Sequence, residues 1–428
     1  MSSDIVITHG LRTPLAKAGT ALRRVSAVEL GRQVVSELVA RADLDPEQID
    51  EVVVGCAGNP IDAANIGRVV ALRANLPRSI PAATVQRNCG SGLEAITTAA
   101  ERIRAGRAKV VVAGAVESMS NYPLLYSAAA TRQFERLFRS RGALGKLSAL
   151  LGFRPRHFNP EIALLTGLTD PVCGLSMGET AEVLAKEFAI SRDTQDEFAL
   201  RSHQRAIAAE QAGIFQDERM PLFLPPTHAE VLEQDVGPRA GQSLDALAKL
   251  QPAFDRRYGT VTAGNSCMVT DGAAATLVMS AQTAQDLGYE PLGRLAGYSW
   301  AGLSPRRMGL GPCYAVPGAL AEAGATLEQM ERVEINEAFA AQVIACQLCL
   351  RSSVFARDEL GMAGPVGSIP EEILNVNGGA IALGHPVGVT GARLVITLLH
   401  EMRRNGLRRG LATLCIGGGQ GGAVVLER

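Results

Sequence analysis

Apolar and polar positions along the chain change period in a regular way. Residues 4–8 form a β-branched run that predicts a strand, and residues 27–42 read as an amphipathic helix. Residues 51–54 predict a second strand, 90–105 a second helix and 109–113 a third strand. Strands alternating with helices in this way point to an α/β fold around a largely buried sheet.

The same order of elements returns from about residue 292. Residues 47–54 (EQIDEVVV) match 328–335 (EQMERVEI), and 101–106 followed by a strand at 110–113 match 401–406 followed by 410–413. Two matches in register order indicate an internal duplication. The pattern divides the chain into an N-terminal half, 1–285, and a C-terminal half, 292–428, with a long insertion of about 118–270 in the first. Within the insertion, residues 178–212 read as one helix with apolar positions three and four apart. Residues 132–157 read as a single surface helix in which Arg132, Arg136, Arg139, Arg141, Lys146, Arg154 and Arg156 interleave with phenylalanines and leucines. Such a face suits a membrane surface or a partner protein, and equally an ordinary solvated helix.

Composition narrows the classes. The length of 428 residues exceeds the ~250–300 at which single cores stop growing, in keeping with two halves. A net charge of −1 supplies no field to attract nucleic acid. No apolar stretch of ~18 residues is free of charge, so no segment reads as a membrane span. The first residues lack the basic and apolar regions of an export signal. Eight cysteines are too sparse for a disulfide scaffold and fit a reducing, cytoplasmic compartment. Forty-five glycines against 4% aromatics stand out, because glycine lets backbone approach a ligand closely.

The glycines gather beside candidate chemistry. Cys89 lies in the run NCGSG (88–92) at the start of a helix, where free N–H groups and the helix dipole lower a thiol pKa, the setting of a nucleophile. A small buried cysteine in a glycine turn is the plain alternative. Cys415 ends a buried strand that opens into GGGQGG (417–422), whose N–H groups can face a developing oxyanion while the thiol moves protons. His385, between Gly384 and Pro386, projects from a constrained loop and can act as base and then donor. Asn336 follows the strand at 333–335, the end at which α/β sheets present ligand sites. Cys346 and Cys349 fall in a helical pattern without a second cysteine pair, which favours packing over zinc, and no metal site is expected. His203 and His400 sit in helical patterns as surface or packing residues. One thiolate to take an acyl group, a histidine to activate it and a second thiol for a carbon-bound proton suit C–C bond cleavage or formation better than hydrolysis.

Five motifs carry a family resemblance: 88–92 (NCGSG), 259–266 (GTVTAGNS), 336–340 (NEAFA), 384–386 (GHP) and 415–417 (CIG). In this order they resemble the thiolases along essentially the whole chain. The resemblance implies two similar halves stacked as a five-layered αβαβα fold with an inserted loop domain, and a homodimer or tetramer. It implies ping-pong cleavage of 3-oxoacyl-CoA by CoA, with no permanently bound cofactor. His385 would deprotonate Cys89, whose thiolate attacks the 3-oxo carbon; Cys415 would protonate the departing acetyl-CoA enolate and later deprotonate incoming CoA. His385 and a water held by Asn336 would face the thioester oxygen, and the N–H groups of Cys89 and Gly417 the other oxygen. Met177, Arg239, Leu250, Phe254, Ala263, Ser266, Ala338 and Phe339 occupy the family's CoA-lining positions.

The chain departs from the pattern in places. Cys267 and Ala246 stand where relatives carry serines near CoA. Residues 130–177 resemble the insertion of the trifunctional-enzyme β subunit, which pairs with a hydratase/dehydrogenase subunit. Asn336 and residues 375–421 look instead like the acetoacetyl-CoA thiolases. A degradative 3-oxoacyl-CoA thiolase is the leading reading, short-chain acetyl-CoA acetyltransfer the close alternative, and a non-catalytic lipid-carrying scaffold the reading from another class.

Overall fold

The computed structural model describes residues 4–428. Its main sheet has the strand order Arg332–Ile335, Arg409–Ile416, Gln420–Glu427, Gly293–Gly302, Ile5–Arg12, Thr270–Ser280, Val110–Ser118, Glu51–Gly55 and Ala82–Val85. Each half repeats one plan. In the first, Glu51–Gly55 runs parallel to Val110–Ser118, which pairs antiparallel with Thr270–Ser280, which pairs antiparallel with Ile5–Arg12. In the second, Arg332–Ile335, Arg409–Ile416, Gln420–Glu427 and Gly293–Gly302 follow the same senses. Even the single turns Pro46–Gln48 and Leu327–Gln329 recur before matching strands. Within the main sheet, among the described residues, the two halves are paired at Val6 with Arg294 and Ile7 with Gly293.

Three apolar cores define the layers. The first packs Ala27–Arg41 against one face of the N-terminal strands, and the third packs Gly311–Glu322 and Ala340–Leu350 against the C-terminal strands. Between them the helices Ser91–Arg104 and Thr390–Asn405 share a core with strands of both halves. The stack is helix, sheet, helix, sheet, helix, the five-layered α/β arrangement.

The first turns of the two central helices touch backbone to backbone. A Cβ on Gly92 would lie 2.8 Å from the Ala392 nitrogen, and one on Gly391 would lie 2.6 Å from that of Leu93. Only glycine allows this approach. It brings the turn that holds Cys89 beside the loop that holds His385.

Two helix expectations need correction. Residues 178–212 form two helices, Met177–Glu187 and Arg192–Gln211. Ala189 takes a left-handed φ of 50°, and the Ser191 hydroxyl accepts the Thr194 N–H at 3.1 Å to start the second helix. Residues 132–157 likewise divide into Ala128–Arg139, Gly142–Leu151 and the single turn Pro155–Phe158, broken where Gly142 has φ 70°. This segment folds partly on itself: the Phe134 ring meets those of Tyr126, Phe153 and Phe158. Phe138 and Leu144 stay 91% and 85% exposed. Among the described residues no helix is long and apolar enough to cross a membrane.

Candidate active site

Asn88, with φ 44°, turns the chain just before the helix Ser91–Arg104. Its Nδ2 donates to the Gly417 carbonyl at 2.8 Å, tying the turn to the loop after Arg409–Ile416. The N–H groups of Gly417 and of Cys89 itself point at the Cys89 thiol. Burial nonetheless pushes that thiol up to about 11, with Glu117 adding to the rise against the two donors. The helix-end expectation of a lowered pKa is therefore corrected. At neutral pH Cys89 is a thiol, and a base must take its proton.

His385 is oriented on three sides. Its backbone N–H donates to the Met268 carbonyl at 3.2 Å and the Thr270 hydroxyl at 3.1 Å, and its Nδ1 lies 2.6 Å from Thr390 Oγ1. Burial, with the Arg393 guanidinium nearby, pushes the ring down to about 3. The imidazole is neutral across physiological pH, which leaves a nitrogen lone pair free. Cys415 is buried near the end of Arg409–Ile416 and is held well above the usual thiol range, chiefly by burial and also by the thiols of Cys89, Cys346 and Cys267. Asn336 is fully buried, and neither its Oδ1 nor its Nδ2 has a partner among the described residues. An unpaired buried amide costs about 1–3 kcal/mol per group, so this side chain is set to hold a polar guest.

Two cavities meet at Cys89. One, of about 240 Å³, is lined by Cys89, His385 and Cys415 together with Cys267. Met177, Phe254, Ser266, Ala338 and Phe339 also line it. The Phe254 and Phe339 rings stand edge to face at 6.1 Å, and Gly178 leaves room for Phe254. The second cavity, of about 350 Å³, is lined by Gln86, Asn88, Gly417 and Tyr122 and by Leu164, Leu168 and Val172 further along the insertion. Arg239, Leu250 and Ala263 line neither: Arg239 and Ala263 are exposed, and Leu250 packs against the C-terminal core. Asn336 also stands off both linings.

Several contributors carry no local sequence signal. The Glu117 carboxylate accepts N–H groups from Ala57, Gly58 and Gly388, and Glu337 binds Ser202, Asn375 and the Ile381 N–H. Met119, Leu168 and Val387 line both cavities. Cys313, Cys346 and Cys349 are buried and free, His203 and His400 are buried packing residues, and no metal-binding group of side chains occurs among the described residues.

A duplicated five-layer α/β fold, with the thiols of Cys89, Cys267 and Cys415 and the His385 imidazole around one cavity, defines an enzyme of acyl transfer. Residues 5–282 match the family model for the thiolase N-terminal domain, and residues 289–428 that for the thiolase C-terminal domain. The chain belongs to the thiolase family. It is 42% identical to a 3-ketoacyl-CoA thiolase of Erwinia tasmaniensis over 424 residues, 99% of this chain and 96% of that protein. The crystal structure of the Bacillus anthracis acetyl-CoA acetyltransferase is similar with a TM-score of 0.87 at 39% identity, covering 100% of this chain and 99% of that one. That of human mitochondrial 3-ketoacyl-CoA thiolase in complex with CoA gives 0.86 at 35% identity, with 99% and 98% coverage.

Proposed function

We propose that this thiolase cleaves 3-oxoacyl-CoA esters longer than four carbons with CoA, releasing acetyl-CoA and a shortened acyl-CoA, as in fatty-acid β-oxidation. The observation that carries the chain length is the pair of cavities at Cys89. A substrate with its CoA arm past Phe254 and Phe339 and its 3-oxo carbon at Cys89 directs its alkyl chain into the second cavity. There Leu164, Leu168 and Val172 offer apolar wall, and Val172 opens to solvent. Each buried CH₂ is worth about 0.8 kcal/mol, which favours chains that reach this wall. The full-length likeness to bacterial 3-ketoacyl-CoA thiolases supports the same reading.

In this reaction the neutral His385, its Nδ1–H donated to Thr390, takes the Cys89 proton as the sulfur attacks. Since the thiol sits near 11 and the imidazole near 3, proton transfer and attack proceed together rather than through a resting ion pair. The N–H groups of Cys89 and Gly417 receive the oxygen of the attacked carbon. His385, with a water on Asn336, receives the enolate oxygen of departing acetyl-CoA. Cys415 protonates the enolate and then takes the proton of incoming CoA, which lifts the acyl group from Cys89. Met177, Phe254, Ser266, Ala338 and Phe339 hold the pantetheine arm in the cavity, while Arg239, Leu250 and Ala263 meet the outer part of CoA. CoA enters and leaves as substrate, and no resident cofactor is required.

The remaining assignments rest on sequence pattern and family likeness. The halves divide as 1–285, with the loop domain at about 118–270, and 292–428. The protein works in the cytoplasm as a homodimer or tetramer. The exposed Phe138 and Leu144, among the arginines of 132–156, dock a hydratase/dehydrogenase subunit or a membrane surface. Steady-state kcat/KM for 3-oxoacyl-CoA from C4 to C16 tests the main reading. Wild type should favour the longer chains, and Leu164→Trp should lower kcat/KM for C10 and above at least tenfold while sparing C4. A sharp C4 optimum in wild type would transfer the assignment to acetoacetyl-CoA.

A further inference from the structure

Glu117 is fully buried on the strand Val110–Ser118, and its carboxylate is saturated by donors from three separate places in the chain. Oε1 accepts the Gly58 N–H at 3.0 Å and the Tyr122 hydroxyl at 2.8 Å. Oε2 accepts the Ala57 N–H at 3.1 Å and the Gly388 N–H at 3.0 Å. The three backbone N–H groups can only donate to it, so the arrangement calls for an acceptor, and these donors with Tyr122 work against the burial that raises the Glu117 pKa. It has no ion-pair partner among the described residues. The geometry around it is built for these contacts: a Cβ on Gly388 would lie 2.7 Å from Oε2 and 2.9 Å from the Ala57 nitrogen, and a Cβ on Gly58 would strike the Tyr122 ring.

These donors belong to the surroundings of the reacting groups. Gly388 lies three residues beyond His385 in the loop that Thr390 closes, and its neighbour Val387 lines both cavities. Ala57 and Tyr122 line the second cavity beside Cys89. Ala57, Gly58, Glu117 and Tyr122 come from the N-terminal half, and Gly388 from the C-terminal half.

We infer that Glu117 is a positioning residue for the thiolase reaction, which clamps the His385 loop of one half onto the Cys89 side of the other through the Gly388, Ala57 and Gly58 N–H groups. This inference rests on the proposed roles of Cys89 and His385. A misplacement of about 1 Å between reacting groups costs about 10²-fold in rate, and that is the scale of effect the clamp controls. Its negative charge has a second consequence, since it opposes a thiolate at Cys89.

Glu117→Gln replaces an acceptor with an NH₂ that faces backbone N–H groups, and Gly388→Ala pushes the loop off an intact carboxylate. Both variants should lose about 100-fold in kcat, with KM for CoA changed less than threefold. Iodoacetamide labelling of Cys89 at pH 8 should separate them: faster than wild type in Glu117→Gln, where the charge is gone, and unchanged in Gly388→Ala. A merely structural role would not raise thiol reactivity while lowering turnover. Gly388→Ala with kcat within threefold of wild type would overturn the clamp, and this variant decides alone if Glu117→Gln does not fold. Failure of the underlying reading is a different result, in which Cys89→Ala retains thiolysis.

Discussion

Replacing Gly417 in two ways isolates one N–H group. The Gly417 nitrogen points at the Cys89 sulfur, and its carbonyl is held by Asn88. Gly417→Ala keeps the N–H. The new Cβ would sit 3.3 Å from Met177 Sδ and 3.8 Å from Asn88 Nδ2, tight by a few tenths of an ångström against a flexible thioether that can yield. Met177 lines both cavities, so this variant should raise KM a few-fold and leave kcat within about threefold. Gly417→Pro removes the N–H. The proline restricts its predecessor to extended backbone, and Ile416 is already the last residue of a strand, so the restriction costs little there. Loss of one oxyanion donor costs about 10²–10³ in kcat, or ~2.7–4 kcal/mol. The assay is thiolysis at saturating CoA, with circular-dichroism melts and stoichiometric labelling of Cys89 showing that fold and nucleophile survive. Equal kcat in the folded alanine and proline variants would refute the role of this N–H.

Three other outcomes follow, two at this site and one at a buried histidine outside it. Cys415→Ser should abolish turnover but still allow Cys89 to be acylated by substrate, read as a mass increment on the peptide carrying Cys89; loss of acylation would place Cys415 in the first chemical step. The pH profile of kcat/KM should show no loss between pH 7 and 5.5 from protonation of His385, whose pKa lies near 3. An inflection near 6.5 would mean a solvated imidazole. His203 is buried, accepts the Arg239 N–H through Nδ1 and is pushed down to about 4 by burial and by Arg239. Between pH 6.5 and 4 the unfolded chain therefore binds the extra proton, and stability present above 6.5 is lost as the pH falls, by about 2 kcal/mol at pH 5. His203→Gln, which keeps an acceptor, should flatten that part of the melting-temperature curve; an unchanged slope would assign the acid loss elsewhere.

What could be read in the chain was local. Cys89, His385 and Cys415 announce themselves because each stands within two residues of glycine or proline near the end of an element, and the duplication preserves its element order. What could not be read is non-local. Glu117 looks like any residue near a strand end, since its backbone donors come from 59, 60 and 271 residues away in sequence and only Tyr122 is near. The raised Cys89 pKa is illegible for the same reason: the helix end acts over one turn, whereas desolvation sums over everything the fold places around the sulfur. The break near Ala189 was hidden because apolar spacing continues across it, and only Ser191 and Thr194 mark the restart. Leu164, Leu168 and Val172 line the second cavity from a part of the insertion whose residue pattern marks no element.

The two central helices meet without side chains between them, at Gly92 and Gly391, and this contact sets how the enzyme can change over evolutionary time. Cys89 comes from one copy of the duplicated half and His385 and Cys415 from the other. Neither copy is selectable for this chemistry by itself; selection acts on the seam. The outer helices of each half are free to drift apart in sequence. At the seam a single added methyl group in one copy demands a matching retreat in the other, so the two halves are bound to change together there.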